Sequence, residues 1–115
     1  MIEQILDLHI HSKYSRACSK DLELPSIARA CETRGIDIVV TGDFTHPMWF
    51  VHMKDWLVED TPGIYKLQET RYKQISKTKF ILGTELSCIK KHKDKTRRIH
   101  VCIFAPNLEV VEKFN

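Results

Sequence analysis

The chain has 115 residues and 13.5 kDa, is 43% hydrophobic and 29% charged, and so suits one globular domain, residues 1–115, while being too short for two. This composition excludes collagen-like, disordered and disulfide-scaffold classes. The formal charge of +3 is uneven: residues 1–64 hold 6 Lys/Arg against 10 Asp/Glu, a balance of −4, and residues 65–115 hold 12 against 5, a balance of +7.

Ile5-Leu6-Asp7-Leu8-His9-Ile10-His11 alternates, which predicts a strand with Leu6, Leu8 and Ile10 on one face and Asp7, His9 and His11 on the other. Residues 12–23 read as a loop. Pro25 then suits a first helical turn and Gly35 a helix C-terminus, so a helix of about ten residues carries Ile27, Ala28, Ala30 and Cys31. Ile36 to Thr41 is β-branched and apolar, the pattern of a strand buried on both faces of a parallel sheet. Trp49, Val51, Met53, Trp56 and Leu57 predict an amphipathic helix closed by Thr61-Pro62-Gly63. Residues 64–78 fit strand, helix and loop equally. Phe80 to Ile89 predicts a third strand, with continuation into a hairpin left open, Lys90 to Arg98 a basic connector, Ile99 to Ala105 a fourth strand, and Pro106 opens a final helix through Leu108, Val111 and Phe114. The fold class is α/β, with parallel strands and alternating helices.

No apolar run approaches the ~20 residues that span a bilayer, and Met1-Ile2-Glu3-Gln4 lacks the features of a signal peptide. The expected location is the cytoplasm, with no membrane partner. Cys18, Cys31, Cys88 and Cys102 show no C-x-x-C spacing and read as reduced, mostly buried thiols.

The H-x-H pair His9/His11 is the strongest chemical signal, because strand alternation brings two imidazoles to one side. Asp43 and His46 leave the carboxyl end of the second strand, Glu85 that of the third, and His100 lies in the fourth. Carboxyl ends of parallel strands are where loops converge on a site. A His-rich set with two carboxylates fits borderline divalent metals such as Zn, Mn or Fe, with Mg a further candidate. Glu85 is the natural bridge between ions and Asp7 an orienting partner for an imidazole. Lys90, Lys91, Lys93, Arg97 and Arg98 belong to a connector with six Lys/Arg against one Asp, which reads either as a phosphate-backbone contact or as a solubilising hairpin tip. Phe44, Trp49, Phe50 and Trp56 read either as core or as base-stacking groups.

With these residues assembled, the chain resembles the amino-terminal part of the PHP (polymerase and histidinol phosphatase) superfamily. The first motif stands as Asp7-Leu8-His9-Ile10-His11-Ser12, the second, modified, as Thr41-Gly42-Asp43-Phe44-Thr45-His46, the third as Gly83-Thr84-Glu85-Leu86-Ser87, and a further histidine as Ile99-His100-Val101. Within the superfamily the pattern is most similar to the endonuclease Q branch. The resemblance implies a distorted, TIM-like β/α barrel, of which this chain would be about the first half. It implies a cluster of two or three metals held by His9, His11, His46, Glu85 and His100. Asp43 and Glu85 would be catalytic, with Asp43 a ligand or a group just behind the ligands. It also implies a DNA endonuclease that nicks beside deaminated bases such as uracil and hypoxanthine. The superfamily's later His or Cys and its late Asp-x-His pair do not occur here, and its metal-binding position after the first motif is held by Ala17. Incompleteness of this kind predicts exposed edges on the outer strands Ile5 to His11 and Ile99 to Ala105, self-association, poor solubility or completion by a second chain, and it is compatible with an isolated chain that is inactive. The alternatives are a small-molecule phosphoesterase of the same superfamily and a non-catalytic metal- or nucleic-acid-binding remnant.

Overall fold

A computed structural model describes residues 3–14, 23–68, 76–93 and 95–115. The element order is β1 (Leu6–Asp7), α1 (Leu24–Arg34), β2 (Ile38–Val40), α2 (Pro47–Trp56), β3 (Leu57–Thr61), β4 (Ile64–Leu67), β5 (Lys79–His92), β6 (Lys95–Ala105) and α3 (Leu108–Phe114). The sheet runs β1-β2-β5-β4-β3, with β6 paired to β5.

Helix α1 buries Leu24, Ile27, Ala28 and Cys31, the i, i+3, i+4, i+7 stripe of an amphipathic helix. It ends at Gly35, whose φ of 74° lets its N–H return to the Cys31 carbonyl. Helix α2 starts at Pro47 and buries Trp49 and Met53, and the Trp49 indole N–H donates to the Thr41 carbonyl at 3.2 Å. Phe44 and Trp49 are fully inside the core, while Phe50 and Trp56 pack partly buried against it. Base stacking therefore has no free Phe44 or Trp49 ring to use.

The first strand is shorter than its alternation predicts, because its ladder with β2 covers only Leu6↔Ile38 and Asp7↔Val39. The parallel expectation holds for β1, β2 and β5. It fails for the rest. Thr61-Pro62-Gly63 does not close a helix: α2 ends at Trp56, and Pro62 and Gly63, with Gly63 at φ 82°, turn β3 back on β4, pairing Leu57 with Leu67 and Thr61 with Ile64. Strand β6 is antiparallel to β5 from Leu82↔Ala105 to His92↔Lys95. A parallel return needs a crossover of about a dozen residues, and the basic connector leaves room only for a hairpin turn at Lys93, φ 47°.

The core gathers Leu24, Val39, Phe44, Trp49, Met53, Phe80, Leu82 and Val111 beneath this sheet. Helix α3 is capped by Asn107, whose side-chain oxygen accepts from the Val110 N–H at 2.9 Å. It is tied down by the Leu108 N–H donating to the Tyr65 hydroxyl at 3.1 Å and by Phe114 edge-on to Phe44. Among the described residues β1 pairs only with β2 and β3 only with β4, so the sheet is open rather than a closed barrel. Cys31 is buried as expected, Cys102 is exposed against expectation, and Cys18, Ala17 and the Cys88 side chain lie outside the described residues. No helix among the described residues is long and apolar enough to cross a membrane.

Candidate metal centre

Three parallel strands end on one side of the sheet, and the candidate ligands follow them. His9 and His11 follow β1, Asp43 follows β2, and Glu85 lies on β5 beyond the Val40↔Ile81 pair that ends its ladder with β2. Thr41 ties two of these segments together, its hydroxyl accepting from the Gly83 N–H at 3.2 Å. The antiparallel return of β6 supplies the fourth group: Ser87↔His100 pairing puts His100 on the Glu85 face of the hairpin.

Glu85 is the meeting point. Its Oε2 contacts His9 Nε2 and lies 3.4 Å from His11 Nε2, and its Oε1 lies 2.5 Å from His100 Nδ1. The His9 and His11 rings stand 5.4 Å apart. The Glu85 side chain is 14% exposed while those of His9 and His100 are 58% exposed, so the anion sits inside a rim of imidazoles. The hydrogen bond from His9, reinforced by that from His100, holds the Glu85 carboxyl below the usual carboxylate range. One ligand atom from each of His9, His11 and Glu85 falls within 4.8 Å of the others. Two imidazoles and a carboxylate at that separation form a donor set suited to a borderline divalent ion, and His100 adds a third nitrogen on the other oxygen of Glu85.

Asp43 stands behind this group. Its Oδ2 accepts from the Ser12 N–H at 2.6 Å and the Ser12 hydroxyl at 2.7 Å, and its Oδ1 lies 3.4 Å from His11 Nδ1. This arrangement favours the His11 proton on Nδ1 and turns the Nε2 lone pair toward Glu85. Gly42 makes the approach possible. It has φ 67°, and a Cβ there would stand 2.4 Å from the Ile10 carbonyl oxygen, while Asp43 itself has φ 47°.

His46 is not brought into this group. It is the N-cap of α2, its Nδ1 accepting from the Met48 N–H at 3.2 Å, and its ring stacks on Tyr14 at 4.2 Å. The Asp7 carboxylate accepts from the His9 backbone N–H at 3.2 Å, so it holds the chain at His9 rather than the ring. Lys91, Lys93, Arg97 and Arg98 are exposed on the β5–β6 hairpin, with the Lys90 side chain outside the described ones. Two groups had no role in the sequence reading. Ser12 is fully buried beneath Asp43, and Tyr14 stacks on His46. The sole sequence signal for Ser12 is its place directly after His-x-His, since strict strand alternation would have put it on the apolar face.

The chain as a whole has known counterparts. The fold is similar to that of endonuclease Q. The lesion-specific endonuclease PfuEndoQ from Pyrococcus furiosus superposes with a TM-score of 0.72 at 30% identity, covering 95% of this chain and 24% of its own. Endonuclease Q in complex with a 27-mer duplex bearing an abasic lesion at the active site gives 0.72 at 32% identity, with the same coverage. A curated, uncharacterised protein of Methanocaldococcus jannaschii is 33% identical over 108 residues, 94% of this chain and 10% of that one. The chain thus spans about a quarter of the solved endonucleases and a tenth of the curated relative. No family model matches it.

Proposed function

We propose that the chain supplies part of the metal centre of an endonuclease Q-like, metal-dependent phosphodiesterase of DNA repair, one that nicks DNA beside deaminated bases such as uracil and hypoxanthine. The observation that carries this reading is the convergence of His9, His11 and His100 on the Glu85 carboxylate from three separate segments of the chain. The likeness to a lesion-specific endonuclease and to a DNA-bound form of the same enzyme supports the choice of substrate. In this reading the chain belongs to the PHP superfamily and forms about the first half of its barrel, completed by further polypeptide.

His9, His11, Glu85 and His100 would hold divalent ions, with His46 recruited from its helix cap to the same cluster; Zn, Mn, Fe and Mg all suit nitrogen and carboxylate donors to differing degrees. Bound there, such ions supply an activated water and neutralise charge on a phosphoryl group. The chain's own residues do the rest. Glu85 stays ionised among the imidazoles because their hydrogen bonds favour its anion. Asp43, gripped by Ser12, keeps the His11 ring turned toward Glu85. Cations on one face of the hairpin hold the phosphate backbone, and the lesion base leaves the stack to reach the site.

The test is incision of a uracil-containing duplex with Mn, Zn or Mg. Nicking at the lesion that EDTA and His11→Ala both abolish is the expected result. Nicking that survives His11→Ala, or a folded chain that binds none of these metals, overturns the reading.

A further inference from the structure

The β5–β6 hairpin has two chemically different faces. Cross-strand partners share a face and alternate along each strand. Glu85↔Cys102, Ser87↔His100, Ile89↔Arg98 and Lys91↔Thr96 therefore lie on one side, and Leu86, Val101, Ile99, Arg97 and Lys95 on the other. The contact between His100 and Glu85 fits this division. Near its base the second face is apolar, with Val101 and Ile99 41% and 46% exposed. The first face carries Glu85 and His100 at its base and, apart from exposed Ile89, continues outward through Ser87, Arg98, Thr96 and Lys91. Lys91, Lys95, Arg97 and Arg98 are all exposed, and among the described residues none is paired with a carboxylate.

Resting on the nuclease reading above, we propose that the DNA backbone runs along the Glu85/His100 face of the hairpin and is held there by Arg98 and Lys91, whereas Arg97 and Lys95 on the reverse face do not touch it. Ile89, opposite Arg98, lies four residues beyond Glu85, and Lys91 six beyond. At about 3.4 Å per residue these steps are roughly 14 and 20 Å. Phosphates of one strand advance about 3.4 Å along a duplex axis, so the two cations meet phosphates roughly four and six nucleotides from the scissile bond.

The test compares two double variants of equal charge change, Lys91→Ala/Arg98→Ala and Lys95→Ala/Arg97→Ala, in metal-loaded full chain. Binding of a fluorescent 27-mer duplex is read by anisotropy over a salt series, and melting temperatures verify that both variants fold. The first pair should weaken binding tenfold or more and reduce the slope of log K against log salt by about 1.8, two contacts at about 0.9 each. The second should change the Kd less than threefold. Equal weakening by the two pairs, or none by either, overturns the face assignment. Nicking is scored separately: a chain that binds through Arg98 and Lys91 but nicks equally well after His11→Ala loses the nuclease reading and keeps this one, and unimpaired nicking and binding by the first pair does the reverse.

Discussion

Glu85 draws three histidines together, and its substitution is the most direct probe of the site. Glu85→Gln keeps the shape and removes the anion, so divalent-metal affinity measured by equilibrium dialysis should fall more than tenfold while the far-UV spectrum is unchanged. Ser12→Ala acts at one remove. It takes one of the two Ser12 donors from Asp43 Oδ2 and an acceptor from the Tyr14 N–H, which bonds the Ser12 hydroxyl at 3.2 Å. Because Ser12 is fully buried, the cost should be about 1–2 kcal/mol in urea unfolding, with metal affinity about tenfold weaker as the His11 ring loosens. His-x-His was legible as a ligand pair from spacing alone. Ser12 was not, because what matters is its reach to a residue 31 positions away.

At the scale of the elements, α1 is held at its start by an ionic clasp. Lys13 Nζ donates to Glu23 at 3.0 Å, which lowers the pKa of the Glu23 carboxyl below its ordinary value and raises the pKa of the Lys13 ammonium. The lowered carboxyl adds stability above its unfolded pKa, about 4.3, and that contribution disappears as pH falls through the native value. The pair is partly exposed, so Glu23→Gln should cost less than about 1 kcal/mol at pH 7 and nothing at pH 2, as measured by unfolding at the two pH values. Helix α1 itself depends on its apolar stripe: Leu24→Ala, at a fully buried position, should cost about 2–5 kcal/mol. The helices were legible because Pro25, Gly35 and Pro47 punctuate 3.6-residue stripes. The β3–β4 hairpin was not recognised, because Leu57 both ends the apolar pattern of α2 and begins a strand.

Across the whole molecule, the candidate ligands come from sequence positions 9, 11, 85 and 100, so a bound ion would join both ends of the chain. Metal that binds only the folded state stabilises it by about 2.7 kcal/mol at a hundredfold excess over Kd. For a domain of this size that is a rise in Tm on the order of 10 °C, reversed by EDTA and absent in His9→Ala/His11→Ala. A thermal melt with and without Mn or Zn checks it.

Composition, punctuation and motif spacing determined by themselves that the chain is α/β, that β1, β2 and β5 are parallel, and that His9, His11, Asp43, His46, Glu85 and His100 are the chemical candidates. These are local properties: side-chain periodicity, turn residues and strand ends are written within a few residues of one another. Only the tertiary structure decided which candidates meet. Pairing register carried His100 to Glu85, a close backbone approach at Gly42 carried Asp43 to Ser12 and His11, and the N-cap of α2 kept His46 apart. Register and close approach depend on contacts between residues far apart in the chain, which no local pattern encodes.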